Sequence, residues 1–587
     1  MKKLNSSSLL IIFIFLQINV HSTIRYVKAG NPTPIPPYTS WATASDSIQK
    51  CINVCVPGDT IYLSEGVFKE QVFMIPGLSI IGNGMINTII DCATVVPQGS
   101  TRHIIFMQDS SSITDLTLRV AIFIPTIDAG INANHLIKVK VKNIFFDYVR
   151  YPLGASDAVI SNSIFYFSNT TLTSASIERP YQIDFYNNYL IYVGYEVYLS
   201  GNTNGQPCKV DLHNNVITLG EYGQIMDNGW SSLFTTYFRN NTVLGFEDDI
   251  HNFSPLGTIS KNTEITNNLF YINHEYGFNV YGNCKMHNNI FYEVPKLFRE
   301  AGDGLSFKYN ALWKSDIRPW YDSTNIIAYP MVYKMTGIPE EVDGRLQKYS
   351  PLIDAGDPGI LDPDSSRSDI GPVGGIYGMI YEYADLPPSV PVNLKLRAND
   401  TLRTLELKWN PNYEVDFRSY YLYTDTVDNF IADSTKFLLE TADTSAVLPI
   451  PFTGFGKVYY RIRSKDMQGK LSEASETVGY VVTGVREYEQ GKNENKLYDI
   501  YPNPTAGKIV IPYRIKEESK VRIVIFDIKG EVLEKTEEEK MGGYYEYEYD
   551  ILGKEKASGI YIVLLEILNP EKGILIYSEV KKAVLLK

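Results

Sequence analysis

Paired asparagines recur along the middle of the chain, and each pair precedes a short apolar run of strand-forming residues. One example is YFRNNTVLGF at Tyr237–Phe246. Asparagine is depleted in β-strands, so the recurrence needs a structural reason. Pairs occur at Asn187-Asn188, Asn214-Asn215, Asn240-Asn241, Asn267-Asn268 and Asn288-Asn289, and weaker copies carry a single asparagine at Asn143, Asn162 and Asn310.

The spacing of these copies predicts a solenoid. Taking the last asparagine of each copy from Asn143 to Asn310, the intervals are 19, 26, 27, 26, 27, 21 and 21 residues. A propeller needs a period of about 40 residues, and leucine-rich repeats need a leucine framework that is absent. Hairpins in a sandwich would favour Asn-Gly and need partners at half this interval. We therefore predict a parallel β-helix whose coils stack about 4.8 Å apart.

The asparagines have a physical role in such a coil. Their short amide side chains tolerate the left-handed conformation of a tight turn. Amides in successive coils can also hydrogen-bond along the stack. We therefore predict that Asn188, Asn215, Asn241 and Asn268 both turn the chain and lie in one column, with the apolar residues after them in the core.

Both ends of the repeat carry further motifs. SDSIQKCINVCVPGDTIYLSEGVFKEQVFM at Ser45–Met74 predicts an amphipathic helix, N-capped by Ser45 or Asp46, before a first strand. SPLIDAGDPGILDPDSSRSDIGPVGGIYG at Ser350–Gly378 ends the repeat. These segments resemble the entry and closing segments of right-handed parallel β-helix proteins of the pectate-lyase-like group. The resemblance covers about residues 24–380 and implies a β-helix over residues 23–384.

Residues 385–483 change character to short alternating strands and predict a β-sandwich. The pattern resembles a fibronectin type III domain, with Trp409 as the core tryptophan and Tyr460, Ile462 and Ser464 on the strand that bears the tyrosine corner. Such a module is either a spacer, which we favour, or a binding unit. Residues 484–496 are polar and predict a linker.

Residues 497–587 predict a second small sandwich. The elements Tyr501-Pro502-Asn503-Pro504, Phe526-Asp527 with Gly530, Ser558–Tyr561 and Lys581-Lys582 resemble the C-terminal sorting domain of the type IX secretion system. The resemblance implies passage across the outer membrane, cleavage of the domain and attachment to a surface lipopolysaccharide. The alternative is an immunoglobulin-like module of the flagellar-hook-capping type. The whole chain is therefore predicted to be all-β, a right-handed parallel β-helix followed by two small β-sandwich domains.

The N-terminus, the net charge and the cysteines bear on the location of the protein and on its partners. Lys2 and Lys3 precede an apolar run at Leu9–Val20, which predicts a signal peptide over residues 1–22, with an uncleaved anchor as the alternative. No other segment could cross a bilayer. A net charge of −13 and the lack of an arginine-rich tract disfavour nucleic acid as a partner. Five cysteines without metal spacing are interpreted as small buried hydrophobes rather than redox groups.

Two acidic segments are candidate catalytic sites. GFEDDIHNF supplies Glu247, Asp248, Asp249 and His251 after one asparagine pair, and a carboxylate pair can act as general acid and base on a glycosidic bond. The pair resembles that of polygalacturonases, whose other motifs are missing here. INHEYGF adds His274, Glu275 and Tyr276 in the next coil. The alternative is an acidic loop solvated at a turn.

Two further groups are candidate binding sites. Lys138, Lys140 and Lys142 lie on one face of a predicted strand, where they could bind an anionic sugar chain, supply a lyase base, or simply solvate the sheet. Asp362, Asp364 and Asp369 alternate in a loop, as calcium ligands do, although an EF-hand pattern is absent and turn capping is the alternative.

These observations predict an exported, surface-displayed protein that binds polysaccharide, with calcium as its only candidate cofactor and the secretion machinery as a partner. A polysaccharide lyase or glycoside hydrolase is the alternative, because the same fold hosts both kinds of protein.

Overall fold

The computed structural model describes residues 22–98, 102–120, 129–168, 170–174, 180–198, 207–224, 226–227, 234–245, 257–259, 262–272, 277–319, 321–336, 338, 341–399, 404–450, 456–482, 494–505, 507–550 and 559–585. The chain divides into two compact units, Met1–Leu386 and Pro387–Lys587. No helix in the described part is long and apolar enough to span a membrane.

The first unit is a parallel β-helix of three sheets, in which each strand pairs with the strand one coil away. Sheet A contains Ile24–Val27, Thr60–Leu63, Ser79–Ile81, the first halves of Ser112–Arg119 and Val139–Asp147, Ala158–Ser161, Tyr181–Tyr186, Cys208–His213, Phe234–Arg239, Thr263–Thr266, Cys284–His287 and Leu305–Lys308.

Sheet B contains Gly66–Phe68, Thr88–Asp91, the second halves of the two long strands, Ile164–Tyr166, the first halves of Tyr189–Tyr198 and Val216–Gln224, Thr242–Gly245, Leu269–Ile272, Ile290–Tyr292 and Ala311–Trp313. Sheet C contains Val72–Phe73, His103–Phe106, Ala129–Ala133, Tyr151–Ala155, Thr170–Ser174, the end of Tyr189–Tyr198, Met226–Asp227, Gly257–Ile259, Phe278–Val280 and Phe298–Ala301. These registers confirm the predicted parallel β-helix.

The core consists of inward side chains that repeat at the same position in successive coils. Phenylalanine rings stack on each other, with centroids 4.6 Å apart for Phe146 and Phe165 and 5.1 Å apart for Phe270 and Phe291. All four rings are buried. Alternation along each strand places the other residues on the outer surface.

The second asparagine of each pair forms the predicted column. Asn241 shows the pattern: its Oδ1 accepts hydrogen bonds from the backbone N–H and the side-chain Nδ2 of Asn215, at 3.0 and 2.9 Å. Its own N–H and Nδ2 donate to Oδ1 of Asn268, at 2.8 and 3.1 Å. The same bonds run through Asn188, Asn215, Asn241, Asn268, Asn289, Asn310 and Asn325, the first six of which are buried.

The prediction that the same asparagine both turns the chain and forms the column was wrong, because two adjacent residues share these roles. The first asparagine of each pair turns the chain with a positive φ, for example 56° at Asn214 and 52° at Asn240, while the second forms the column. Asn143 and Asn162 also have positive φ and align with the first asparagine, not the second. Ser163 occupies the column position in its coil, where its Oγ accepts the Ile144 N–H at 3.1 Å.

The capping helix at Ile48–Ile52 covers the first coil. Its N-cap is Ser47 rather than Ser45 or Asp46, because the Ser47 Oγ accepts the Lys50 N–H at 3.3 Å. The Glu70 carboxylate also receives the N–H groups of Ile48 and Gln49 at the same end. Cys51, Cys92 and Cys284 are buried free thiols, and burial raises the pKa of Cys92 to about 12.

The closing segment, Ser350–Gly378, packs beside the turn that the first asparagines make. Asn267 Nδ2 donates to the Asp369 carbonyl at 2.8 Å, and Asn240 Nδ2 donates to the Pro372 carbonyl at 3.0 Å. A short antiparallel pair, Val332–Lys334 with Asp343–Leu346, precedes it. The side chains of the first asparagines therefore hold the closing segment on the outer surface of the β-helix.

The second unit contains two pairs of antiparallel sheets. The first pair consists of Lys395–Asn399, Thr404–Lys408 and Ser445–Pro449, and of Phe437–Thr441, Phe417–Asp425, Gly456–Asp466 and Val478–Val482, with a 3-10 turn at Ser434–Lys436. Trp409 is buried against Tyr420 in this core, with ring centroids 5.3 Å apart. The second pair consists of Lys496–Leu497, Lys508–Ile515 and Gly543–Asp550, and of Val532–Lys540, Ser519–Asp527, Gly559–Leu568 and Leu575–Leu585.

The Tyr501–Pro504 motif holds the start of the last sandwich to its final strand. Asn503 Nδ2 donates to the Lys582 carbonyl at 2.7 Å, and Asn503 Oδ1 accepts the Val584 N–H at 2.8 Å. The prolines lack N–H donors, so the asparagine amide joins the motif to the strand, and the Thr505 N–H adds a bond to the Val584 carbonyl at 2.7 Å.

Candidate functional site

The outer face of sheet A presents columns of polar and aromatic side chains. Register places Asp184, Asp211, Tyr237 and Glu264 in one column. The neighbouring column contains Tyr186, His213, Arg239 and Thr266. Since adjacent strands lie about 4.8 Å apart, one side chain per coil meets an extended ligand at regular intervals.

Asp211 is the centre of a charged cluster on this face. It is 1% exposed, and its Oδ2 lies 3.7 Å from both Lys209 Nζ and Arg239 Nη1. The Tyr377 hydroxyl donates to the same oxygen at 3.2 Å. Burial, with the Asp211 charge, raises the pKa of Tyr377, so this hydroxyl stays a donor at neutral pH. Oδ1 of Asp211 is buried and accepts no hydrogen bond from a described residue.

His213 lies beside this cluster between two aromatic rings. Its Nε2 is 3.1 Å from Asp184 Oδ1, and its Nδ1 is 2.8 Å from Asn214 Oδ1. The Tyr377 ring stacks on the imidazole at 3.8 Å, and the Tyr186 ring stacks at 5.0 Å, each within 5° of parallel. Tyr377 comes from the closing segment, so that segment contributes a flat aromatic surface to the site.

Cations and aromatic rings are also paired in this part of the face. The Arg239 guanidinium lies 3.8 Å from the centre of the Tyr237 ring, and Lys209 Nζ lies 5.1 Å from it. Arg239 Nη2 is 3.6 Å from Glu264 Oε2. These contacts fix the rotamers of the cluster before any ligand binds, as a preformed site requires.

The predicted lysines lie next to this cluster. Val139 and Val141 are buried, whereas Lys140 and Lys142 point outward, as predicted; Lys138 precedes the strand with a φ of 55° and is also exposed. No carboxylate of the described residues lies within ion-pair distance of these three ammonium groups. They are therefore available cations, unlike Lys209 and Arg239.

Lys138 and Lys140 line an open depression of about 550 Å³ on the outer face of sheet A. Its other lining residues are Ser79, Ser110, Ser112, Val139, Asp157, Ala158, Val159, Gln182 and Asp184. Asp184 belongs both to the depression and to the His213 pair, so the depression and the Asp211 cluster form one continuous surface. We call this surface the sheet A face.

The predicted catalytic residues Glu247, Asp248, Asp249 and His251 lie outside the described residues, as do His274, Glu275 and Tyr276. Their catalytic roles stay a prediction.

The predicted calcium ligands are engaged by the protein. Asp362 accepts the N–H groups of Gly375 and Asp369, at 2.5 and 3.0 Å, and exposed Asp364 accepts the Ser366 N–H at 2.9 Å. Asp369 accepts the Asp354 N–H and the Tyr383 hydroxyl, each at 2.9 Å. These bonds are those of turn-capping carboxylates, and calcium binding stays a prediction.

Asp369 makes the stability of the β-helix unit depend on pH. Burial raises the pKa of Asp369 to about 6, above the value of about 4 of an unfolded aspartate. The folded state therefore binds the proton more tightly, and this contribution to stability is complete below about pH 4 and lost as pH rises through about 6. We expect the unfolding midpoint of the β-helix to fall over that interval, and to fall less in Asp369→Asn. Parallel curves for the two proteins in calorimetry would exclude this assignment.

The residues of the Asp211 cluster were not singled out from the sequence, but their positions relative to the column asparagines follow a simple rule. Counting back four and two positions from a column asparagine gives the two outward columns, as Asp211 and His213 show for Asn215. The asparagine repeat thus contained this signal, whereas Asp211, His213 and Arg239 carry no local motif. Tyr377 could not be found this way, because it reaches the site from 166 residues downstream of Asp211.

One family of known proteins matches the C-terminal part of the chain. Residues 499–573 match the family described as Secretion system C-terminal sorting domain. None of the curated proteins compared with the chain matches its sequence.

Solved structures that are similar to parts of the chain include three different proteins. Pectate lyase Pel9A has 14% identity and a TM-score of 0.40, over 60% of this chain and 97% of that one. The FN1–FN3 domains of chicken CNTN1 have 11% identity and a TM-score of 0.14, over 35% and 69%. Dimeric latent PorU from Porphyromonas gingivalis has 12% identity and a TM-score of 0.14, over 34% and 20%.

These three scores are low, so the fold assignment rests on the strand registers themselves. The family match at residues 499–573 confirms the predicted sorting domain. The chain therefore joins a parallel β-helix to a type IX secretion system C-terminal sorting domain, which implies export and either secretion or attachment at the cell surface.

Proposed function

We propose that the chain is an exported protein whose sheet A face binds an anionic polysaccharide. The observation that carries this proposal is the set of three exposed lysines without ion-pair partners among the described residues, two of which line an open depression on a long flat sheet. An extended glycan crossing several coils would meet these ammonium groups first, and then the tyrosines and the buried Asp211 cluster. Regular carboxylates on the glycan would pair with the lysines.

Aromatic side chains on the same surface support a sugar ligand rather than a simple polyanion. Tyr186, Tyr237 and Tyr377 supply aromatic rings on this surface, and a sugar ring can pack against such rings. After export, cleavage of the sorting domain and attachment to a surface lipopolysaccharide would display this face to the medium.

Replacing the lysines tests the proposal. The triple variant Lys138→Ala, Lys140→Ala and Lys142→Ala is expected to bind an acidic polysaccharide about tenfold more weakly or worse, since exposed charge pairs contribute about 0.2–1 kcal/mol each and about 1.4 kcal/mol is tenfold. Wild-type affinity should fall with added salt, and the salt dependence should decrease in the variant. Calorimetric titration over several salt concentrations measures both.

The control removes three exposed lysines elsewhere on the same unit, Lys28, Lys69 and Lys348, and should bind as the wild type does. Equal binding by both triple variants would refute the proposal. The length of the glycan is followed in the same samples, with and without calcium. Chain cleavage that disappears in Asp248→Ala and Asp249→Ala would establish the alternative, a lyase or hydrolase.

A further inference from the structure

We propose that Ser306, His287 and Asp357 form a Ser–His–Asp triad that hydrolyses carboxylic esters. The Ser306 Oγ lies 2.8 Å from His287 Nε2, and His287 Nδ1 lies 2.8 Å from Asp357 Oδ2. Both distances are those of a nucleophile paired with a general base, and of that base paired with the group that orients it. This reaction does not require the candidate acid–base residues Glu247, Asp248 and Asp249.

The β-helix places these residues together through its register. His287 and Ser306 lie on adjacent strands of sheet A, where Lys285 is opposite Ser306 and Lys308 is opposite His287. The serine and the histidine are thus diagonal neighbours on the outer surface. Ser306 is partly exposed, so an ester can reach its hydroxyl from solvent.

The closing segment delivers the carboxylate in a fixed orientation. The Asp357 N–H donates to Asn288 Oδ1 at 2.6 Å, and the Gly359 N–H donates to Asp357 Oδ1 at 2.9 Å. The other oxygen, Oδ2, then faces His287. Asn288 is one of the turn-forming asparagines, so the same side chains that hold the closing segment also position Asp357.

The electrostatics favour the protonation states that a triad needs. Burial lowers the pKa of His287, and Lys285 and Lys308 lower it further against the opposing effect of Asp357, so the imidazole is neutral at neutral pH. Although burial alone would raise the pKa of Asp357, hydrogen bonds from Gly359 and His287 lower it. His287 then donates from Nδ1 to Asp357, which leaves Nε2 to accept the serine proton.

A second histidine–aspartate pair on the sheet A face, His213 with Asp184, differs from the pair His287 with Asp357. His213 contacts its aspartate through Nε2, whereas His287 does so through Nδ1. The other nitrogen of His213, Nδ1, contacts the Asn214 amide oxygen, and aromatic rings stack on both faces of the imidazole. A hydroxyl completes the arrangement at His287, whereas an amide occupies that place at His213. Position on the face alone therefore does not produce a triad.

The reaction balances with water as the second reactant. Ser306 Oγ attacks the acyl carbon and forms the new C–O bond while its proton moves to His287 Nε2. Lys285 is opposite Ser306 and Lys308 is two residues further along the strand of Ser306, so both can stabilise the developing oxyanion. Their ammonium groups lie 3.6 Å from Asp357 Oδ2 and 3.5 Å from Asp322 Oδ2. Breaking the ester C–O bond releases the alcohol, which takes the proton from His287. Water then hydrolyses the acyl-serine, and a carboxylic acid leaves.

The substrate class follows from the surface around the triad. Resting on the proposed function, we assign it O-acyl esters on the hydroxyls of a glycan held along sheet A. Lys285, His287 and Ser306 continue the same outward columns that contain Asp211 and His213.

Covalent labelling of the full mature chain tests the triad without any glycan. A fluorophosphonate probe should modify Ser306, and peptide mass spectrometry locates the adduct in the wild type. Hydrolysis of p-nitrophenyl acetate should fall at least a hundredfold in Ser306→Ala and in His287→Ala. Ser366→Ala, which removes an exposed hydroxyl bonded to Asp364, should label and react as the wild type does.

Because Asp357 acts by orienting His287, its variants are tested by measuring kcat and KM separately. Asp357→Asn should lower kcat at least tenfold with little change in KM, and Asp357→Glu should restore part of the loss. An unmodified Ser306 in the folded wild-type chain, or a kcat unchanged in Ser306→Ala, would overturn the triad. The lysine variants of the sheet A face should keep full activity on p-nitrophenyl acetate, so failure of glycan binding and failure of the triad give different results.

Discussion

Replacing Asn241 by alanine is expected to lower the free energy of unfolding of the β-helix unit by about 3 kcal/mol or more. The change removes the acceptor of the Asn215 N–H and side-chain amide, and the donor to the Leu212 carbonyl at 2.9 Å. Asn241 is 0% exposed, so water cannot replace these bonds. Each buried polar group left without a partner costs about 1–3 kcal/mol. The shift of the β-helix transition in calorimetry of the mature chain measures the loss.

Two matched variants separate the column from the turn. Asn241→Ser should lose less than Asn241→Ala, because Ser163 already fills the equivalent position and its Oγ accepts a neighbouring N–H. Asn187→Gly keeps the left-handed turn at φ 56° and removes an exposed amide, so its cost should stay within about 1 kcal/mol. An Asn241→Ala protein as stable as the Asn187→Gly protein would mean that the column contributes nothing to stability.

Deleting residues 497–587 is expected to abolish appearance of the protein outside the cell. The match at residues 499–573 assigns a sorting signal to this sandwich. The truncated chain should accumulate in the periplasm, while full-length protein reaches the surface or the medium. Fractionation and protease treatment of intact cells distinguish these locations.

Two control chains make the deletion informative. Removing residues 385–483 while keeping the linker and the tail should leave export intact, if the first sandwich is a spacer. Fusing residues 497–587 to an unrelated periplasmic protein should direct that protein outward. Undiminished surface display of the truncated chain would show that another part of the protein carries the export signal.

The asparagine repeat predicted most of the first unit because its signal is both local and periodic. A coil must turn at a fixed place, and few residues other than asparagine and glycine accept the left-handed conformation there. The spacing does not predict which asparagine of a pair turns the chain and which forms the column, since both residues are asparagine. The spacing places Asn143 and Asn162 one residue out of register, because Ile144 and Ser163 follow them where the later copies have a second asparagine.

The site was harder to predict than the fold, because its members come from different coils and from the closing segment. Lys140 and Lys142 were found because they alternate with valines along one strand. Asp211 and His213 have no such local pattern, and Tyr377 reaches them only through the packing of the closing segment. Register between coils is a long-range property, so it becomes visible only once the column of asparagines is aligned.

Lysine reactivity tests whether the glycan binds on the sheet A face. The mature chain is acetylated briefly with and without a saturating acidic polysaccharide, and each lysine is quantified by mass spectrometry. If the glycan binds there, we expect severalfold protection of Lys138, Lys140 and Lys142, with Lys28, Lys69 and Lys348 unchanged. Equal modification of the first three lysines in both samples would contradict such binding.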